Sequence, residues 1–268
     1  MHRGLFEMTY FDTYYYCNVI FNILKNQSEY MRTMYDLFED ENWLRFSHPF
    51  PKYSALHVFS EHCIRGIFME KFFDSESSAH DQIFPITKTF EAYSVDHLSM
   101  QTYLNGRRPD VDSSHDYFTE LSLIGDLDNL IQRMTDEIFY VMFNNRAAMQ
   151  LLNDWIANFG GAGDFSRITP DHQERFTKSG FIKRSSIPRW TSRAVYYRDR
   201  GRCTFCQRDV SGSLSMGSKI NLDHIVPLAA GGINDVTNLQ LLCEECNSSK
   251  SDKRLSTSNK YERWYSPS

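Results

Sequence analysis

The chain has 268 residues, of which 41% are hydrophobic and 24% are charged, as is usual for a soluble globular protein. This length allows one large domain or two smaller ones, and no apolar run reaches the roughly 18 residues of a membrane-spanning helix. The apolar segment near the N-terminus is a poor signal peptide because Glu7 and Asp12 precede it. We therefore predict a cytoplasmic protein without a membrane partner.

The formal net charge of −5 is unevenly distributed along the chain. Residues 181–268 contain 14 Lys and Arg against 8 Asp and Glu, whereas residues 1–180 contain 15 against 26. A basic surface attracts polyanions, so we expect only the C-terminal part to meet one.

Residues 1–160 are predicted to form a mainly helical domain of unknown role. Apolar residues at helical spacing predict helices over 53–73, 122–145 and 147–159. The opening 25 residues are rich in Tyr and Phe and suit either a strand or a helix. The positions at helical spacing in the first two helices are Leu56, Phe59, Cys63, Ile67, Met69 or Glu70, Leu127, Leu130, Ile131, Met134, Ile138 and Met142.

A linker and a short helix are predicted over residues 161–185, with Pro170 in the first turn of that helix. A further helix begins near Pro188, and Gly201 ends it. Its first stripe, Trp190, Ala194 and Tyr197, is interpreted as core. Its second stripe is equally compatible with a solvated face and with phosphate contacts, and it contains Arg189, Arg193, Tyr196 and Arg200.

The six cysteines divide into two groups. Cys17 and Cys63 stand alone in apolar surroundings, which is typical of buried thiols. The other four form two Cys-x-x-Cys pairs separated by 36 residues, and such pairs supply the four ligands of a closed, structural zinc site. The predicted zinc ligands are Cys203, Cys206, Cys243 and Cys246.

The segment between the two cysteine pairs contains His224, which is the only histidine after residue 180. A lone histidine is more often structural than catalytic. Here, however, Asp223 precedes it, Asn238 follows a Gly-rich loop, and Asn247 stands directly after the last cysteine. The segment is expected to form strand, loop, strand and helix, with the first strand ending near the Asp-His step.

These residues carry a family resemblance. The run Cys-x-x-Cys, LDHIVPL and GG-x-N-D-x-x-N-L-Q-x-L-C-x-x-C-N-x-x-K is similar to the HNH endonucleases, which have a ββα-metal fold and a four-cysteine zinc. The preceding segment from Trp190 to Cys203 is also similar to that family. The resemblance covers about residues 186–255, so we define a predicted HNH nuclease domain over 186–268.

The resemblance implies a role for each matching residue. His224 matches the general base that activates water, and Asp223 matches the neighbouring metal ligand. Asn238 matches the asparagine that braces the loop, and Asn247 stands where the family often has a final metal-binding His. Lys250 matches a basic residue that often contacts phosphate.

The chemistry of these residue types agrees with that implication. Carboxylate and amide oxygens are hard ligands that suit Mg²⁺ or Mn²⁺, and these cations favour phosphodiester hydrolysis. An imidazole of ordinary pKa can take a proton from water at neutral pH. The candidate magnesium or manganese ligands are Asp223 and Asn247, and the candidate substrate-binding residues are Lys250, Arg193 and Arg200.

The sequence therefore predicts a metal-dependent endonuclease that acts on DNA. Residues 1–160 would have a sensing role, dimerise the protein or select the target. The protein would act as a homodimer or with an activating partner protein. Such a regulated nuclease suits bacterial anti-phage defence or restriction. The alternative is a non-catalytic zinc-ribbon module that binds nucleic acid or protein.

Overall fold

The structure is a computed structural model that describes residues 7–39, 42–72, 79–108, 110–160, 170–211, 221–250 and 257–263. These ranges are mainly helical, and none of their helices is long and apolar enough to cross a membrane. The helices are α1 (Thr13–Lys25), α2 (Met31–Phe38), α3 (Ala55–Phe72), α4 (Ala79–Ala92), α5 (Met100–Leu104), α6 (Val111–Leu123), α7 (Asp126–Met142), α8 (Arg146–Gly160), α9 (Pro170–Gln173), α10 (Arg189–Arg198) and α11 (Glu244–Lys250).

Two short strands form an antiparallel sheet near the C-terminus. Strand β1 (Asn221–His224) pairs with β2 (Leu239–Leu242), so that His224 lies opposite Leu239. Every residue of β2 is buried, and α10 packs on this strand while α11 packs on β1. This confirms the predicted fold class, a mainly helical chain with a small α+β region beside a four-cysteine cluster.

The chain divides into two compact units, each built from two separate segments. Met1–Ile20 and His57–Tyr140 form one unit, and Phe21–Leu56 and Val141–Ser268 form the other. The first has 7 Lys and Arg against 17 Asp and Glu, and we call it the acidic unit. The second has 22 against 17, and we call it the basic unit. Residues 161–169, within the predicted linker, lie outside the described residues, and the domain limits predicted from the sequence stay a prediction.

The acidic unit contains a buried carboxylate on α7. Glu137 is 1% exposed and accepts hydrogen bonds from the Thr13 hydroxyl at 2.6 Å and the Tyr93 hydroxyl at 3.1 Å. The backbone N–H groups of Thr9 and Tyr10 also donate to it. Because the first N–H groups of a helix and the residues before it lack helical acceptors, this carboxylate anchors the start of α1.

The basic unit contains a buried ionic network. The Asp199 carboxylate accepts two hydrogen bonds of 2.9 Å from the Arg198 guanidinium and one of 2.9 Å from the Leu241 N–H. Arg198 also donates to the Leu239 carbonyl at 2.6 Å, and the Arg146 guanidinium lies 3.6 Å from Asp199. The network therefore links the start of α8 and the end of α10 to strand β2.

Most of the predicted helices are confirmed. Helices α3, α7 and α8 lie where apolar spacing predicts them, and all six expected core positions of α7 are buried. The opening segment, for which the sequence left strand and helix open, forms α1. The last part of the predicted α3 stripe was wrong, since Ile67 is only half-buried, Met69 and Glu70 are exposed, and Phe68 is buried instead.

The predicted core stripe of α10 was also wrong. Tyr197 is 67% exposed, whereas the buried residues are Thr191, Val195 and Arg198. The guanidinium of Arg198 pairs with Asp199 and lies 4.9 Å from the centre of the Phe143 ring, so a charged side chain takes the buried position. Sequence periodicity does not reveal that pairing.

Candidate functional site

The four predicted zinc ligands lie together. The Sγ atoms of Cys203, Cys206, Cys243 and Cys246 are all within 4.8 Å of one another. The first pair lies on the turn after α10, and the second lies at the start of α11. Four soft sulfur donors at this separation can bind one metal ion, and four protein ligands leave no open position on it.

Two thiols of the cluster have pKa values shifted in opposite directions. Burial raises the pKa of Cys246, and the neighbouring cysteines raise it further. Burial also acts to raise the pKa of Cys203, but the backbone N–H groups of Cys206, Cys243 and Phe205 outweigh it and lower that pKa to about 7. Metal-bound cysteines are thiolates, so a cation bound at this cluster would displace the remaining thiol protons.

The loop between β1 and β2 depends on two adjacent glycines. Gly231 has a φ of 89°, in the left-handed region that favours glycine. A Cβ atom on Gly232 would lie 2.0 Å from the Val226 carbonyl oxygen, which no side chain permits. The Gly232 N–H donates to the Pro227 carbonyl at 3.0 Å, so the loop folds back closely behind β1.

Asn238 braces this loop from the inside. Its Oδ1 accepts from the Val226 N–H at 2.8 Å, and its Nδ2 donates to the carbonyls of Val226 at 3.0 Å and Ile233 at 2.9 Å. Its backbone carbonyl accepts from the Ile225 N–H at 2.7 Å. The side chain is fully buried, and it fixes the residues that directly follow His224.

His224 is the last residue of β1 and is 3% exposed. Its Nε2 lies 3.2 Å from Oδ1 of Asn234, while Nδ1 is buried and has no hydrogen-bond partner among the described residues. A buried polar atom without a partner costs about 1–3 kcal/mol, a cost that a hydrogen-bonding ligand would relieve.

Asn234 determines which nitrogen of His224 carries the proton. Its Nδ2 donates to the Lys183 carbonyl at 2.7 Å, and a carbonyl can only accept, so Oδ1 is the amide atom that faces the imidazole. Oδ1 cannot donate, and therefore Nε2 of the neutral ring holds the proton and Nδ1 holds a lone pair. This is the tautomer that a base acting through Nδ1 requires.

Burial, together with nearby positive charge, lowers the pKa of His224 and keeps the imidazole neutral. Burial lowers the pKa of His224 to about 4, and the positive charge of Arg184 acts in the same direction. The hydrogen bond with Asn234 and the negative charge of Asp223 oppose these effects without overcoming them. At neutral pH the imidazole is thus unprotonated at Nδ1.

Asp223 and Lys250 contact each other. The Lys250 amine donates to Asp223 Oδ2 and to the His224 carbonyl, and it lies 3.4 Å from the Ile225 carbonyl. Gln240 also donates to Oδ2 at 3.4 Å. Lys250 is buried, so the structure gives its amine a role in holding β1 and shows no exposed amine for a phosphate contact.

Asn247 lies on α11, three residues before Lys250. Residues three apart share one face of a helix, and Lys250 shows that this face is turned towards β1. Asn247 is half-buried there. Asp223 and His224 therefore lie on β1, Asn238 lies directly before β2, and Asn247 lies on α11.

A cleft of about 490 Å³ opens beside Asp223 and His224. Pro227, Leu228 and Ala229 form one part of its lining. The rest of the lining comes from the segment for which the sequence predicts a linker and a short helix, and its residues are Thr177, Ser179, Phe181, Ile182, Lys183 and Arg184.

The remaining predicted substrate-binding residues do not line this cleft. Arg193 and Arg200 are exposed on and just after α10. Asn234 and Arg184 were not predicted from the sequence. Asn234 belongs to the run that resembles the HNH family, in which no role was assigned to it, and Arg184 lies 40 residues before His224 in a segment with no recognised motif.

Comparison with protein families agrees with this geometry. Residues 203–253 match the family model of the HNH endonuclease, which confirms the resemblance seen in the sequence for the C-terminal part of the chain. The N-terminal region matches no family model. Comparisons with curated proteins and with solved structures gave no match.

Proposed function

We propose that this chain is a metal-dependent endonuclease that hydrolyses phosphodiester bonds in DNA. The observation that carries the proposal is the state of His224, a buried neutral imidazole whose Nδ1 has a lone pair and no partner, beside Asp223 at the cleft. The match of residues 203–253 to the HNH endonuclease supports the same reaction class.

His224 is assigned as the general base. Its Nδ1 takes a proton from the water that attacks the phosphorus, while Asn234 accepts the Nε2 hydrogen and keeps the ring in place. General base catalysis of this kind contributes about 10²- to 10⁴-fold to a rate. Asn238 holds the backbone after His224, so it acts on the reaction by position.

Asp223 and Asn247 are assigned as the ligands of Mg²⁺ or Mn²⁺. Among the described residues the hydrogen bonds to Asp223 fall on Oδ2, so Oδ1 has no protein donor. A carboxylate and an amide oxygen are hard donors that fit these cations. A bound divalent cation supplies charge neutralisation at the phosphate.

The four cysteines are assigned to a structural Zn²⁺. Cys203, Cys206, Cys243 and Cys246 supply four sulfur donors, which Zn²⁺ prefers over Mg²⁺. This zinc would join the turn after α10 to the start of α11 and so fix β1 between them.

We infer the biological role of the nuclease from the organisation of the chain. One HNH site cuts one strand, so cleavage of both strands requires two copies, and a homodimer or an activating partner would supply that control. A nuclease joined to a large acidic unit suits an effector of anti-phage defence or restriction in the cytoplasm. Residues 1–160 would then sense the trigger or select the target.

A plasmid assay tests the reaction. Purified, zinc-loaded protein is incubated with supercoiled DNA and Mg²⁺, Mn²⁺ or EDTA, and structured RNA is run in parallel. We expect nicked circles with Mg²⁺ or Mn²⁺, and no cutting with EDTA or with His224→Ala. DNA that stays intact with every metal, together with unchanged behaviour of His224→Ala, would leave only the non-catalytic zinc-ribbon alternative.

A growth assay covers the case in which a trigger is missing from the purified system. The wild-type chain and His224→Ala are expressed in bacteria at equal levels, with and without phage infection. We expect loss of viability or of phage yield for the wild type alone. Equal effects of the two proteins would contradict a defence role that depends on cleavage.

A further inference from the structure

We propose that Arg184 binds the scissile phosphate from a rigid hairpin that forms the second wall of the cleft. This inference rests on the proposed function and deepens it, because it assigns a substrate-binding residue outside the segment that matches the HNH family. The matched segment begins at residue 203, so the family match says nothing of residues 175–184.

The hairpin is defined by its backbone hydrogen bonds. Phe176 bridges Ile182 in antiparallel fashion, the Thr177 N–H donates to the Phe181 carbonyl at 2.7 Å, and the Lys183 N–H donates to the Arg175 carbonyl at 2.8 Å. Gly180 closes the turn with a φ of 80°. Residues 175–183 therefore form a compact hairpin, and Arg184 directly follows it.

The hairpin is fastened to the rest of the basic unit. Phe176 is 2% exposed and packs against Leu44 and Trp43. The Arg175 guanidinium donates to the Ser47 hydroxyl at 3.2 Å. The packing of Phe176 and the hydrogen bond of Arg175 hold the hairpin in place. Arg184 can therefore occupy a constant position, as a binding site needs.

A side chain of the loop joins the hairpin to the general base. Asn234 donates to the Lys183 carbonyl at 2.7 Å and lies 3.2 Å from Nε2 of His224. The backbone one residue before Arg184 is thus two hydrogen bonds away from the imidazole. This connection fixes the distance between the proposed phosphate-binding residue and the proposed base.

The charge of Arg184 is available for a substrate. The side chain is exposed, it lines the cleft with Asp223 and His224, and it takes part in none of the ion pairs between described residues. The Lys183 amine beside it donates to the Glu174 carbonyl at 2.9 Å, so Arg184 is the better-placed cation. A guanidinium can bind two phosphate oxygens at once.

The test compares Arg184→Ala and Arg184→Lys with Lys178→Ala. Lys178 is an exposed cation on the same hairpin, and it does not line the cleft. Cleavage of one DNA duplex is measured as kcat and KM. DNA binding is measured as a function of salt for each variant combined with His224→Ala. Zinc content and thermal melting show that each variant is folded.

We expect Arg184→Ala to lower kcat/KM at least tenfold, Arg184→Lys to recover part of the loss, and Lys178→Ala to stay within twofold of wild type. The salt slope of binding should fall by about one phosphate contact for Arg184→Ala. If wild-type protein cuts DNA and Arg184→Ala behaves like Lys178→Ala, the inference is wrong. If wild-type protein cuts nothing while the salt slope still falls, the phosphate contact stands and the proposed reaction fails.

Discussion

Two buried carboxylates, Glu137 in the acidic unit and Asp199 in the basic unit, are satisfied in different ways, whereas Asp235 of the basic unit accepts from neutral donors as Glu137 does. In the acidic unit, Glu137 accepts from hydroxyl and backbone N–H groups, with no cation among the partners described. In the basic unit, Asp199 accepts from Arg198, lies beside Arg146 and also accepts from a backbone N–H. The acidic unit has 7 cationic side chains and the basic unit has 22, which is consistent with this contrast.

The difference separates two kinds of stabilisation. Glu137 anchors the start of one helix through neutral donors, so its loss should affect mainly α1. Asp199 joins two helices and a strand through buried charges, and removing one member of such a network leaves an unpaired charge. We therefore expect the basic unit to depend on specific ionic and metal contacts more than the acidic unit does.

The largest effect should come from the cysteine cluster. Cys243→Ser removes one thiolate, and a structural zinc contributes on the order of 10 kcal/mol to the fold that binds it. Zinc content should fall, and hydrogen exchange should show lost protection in α10, β1 and β2 while α6 stays protected. Cys63→Ala in α3 is the matched control, and it should keep full zinc content. Equal loss of protection in α6 would contradict the expectation that the basic unit depends on metal contacts more than the acidic unit does.

A smaller effect on the free energy of unfolding should distinguish the two buried carboxylates. Asp199→Asn leaves Arg198 buried without its anion and should destabilise by about 3–5 kcal/mol. Glu137→Gln keeps one acceptor oxygen for the neutral donors and should cost about 1–3 kcal/mol. Urea unfolding of zinc-loaded proteins measures both values. A larger cost for Glu137→Gln would show that the neutral donors hold their carboxylate more strongly than the arginines do.

An effect of similar size concerns pH and arises from one histidine of the basic unit. Because burial lowers the pKa of His224 to about 4, the unfolded chain binds a proton below its ordinary value of about 6.5 and the folded chain does not. The contribution of His224 to stability is therefore present above about pH 6.5 and is lost as the pH falls towards 4. Between pH 7 and pH 5 this single group should remove about 2 kcal/mol.

His224→Gln should reduce the difference in the free energy of unfolding between pH 7 and pH 5 by that amount. The measurement is urea unfolding of both proteins at pH 7 and pH 5 with zinc content verified at each. Identical pH dependence in the two proteins would mean that His224 is protonated in the folded state at pH 5.

The parts of this fold that the sequence predicts are those in which local pattern decides. Apolar spacing locates α7 and α8, and the two Cys-x-x-Cys pairs come together in the structure. The expected end of the first strand also agrees, since β1 ends at His224. In each case neighbouring residues carry enough information, through helical period, ligand spacing or a following proline.

The parts that the sequence does not predict depend on distant partners. The burial of Arg198 needs its neighbour Asp199 and also β2, which is 41 residues away. The role of Asn234 needs the Lys183 carbonyl, 51 residues earlier in the chain. Arg184 lies in the cleft because its hairpin packs on residues 43–47. No local pattern contains such pairings.

We assign the unprotonated Nδ1 of His224 as the base that activates the attacking water. The most direct measurement is the single-turnover rate of DNA cleavage at saturating Mg²⁺ or Mn²⁺, for the wild type and for His224→Ala with equal zinc content and equal DNA affinity. We predict that the variant is slower by about 10²- to 10⁴-fold. A rate within tenfold of the wild type, at matched affinity and folding, would contradict the assignment of His224 as the base.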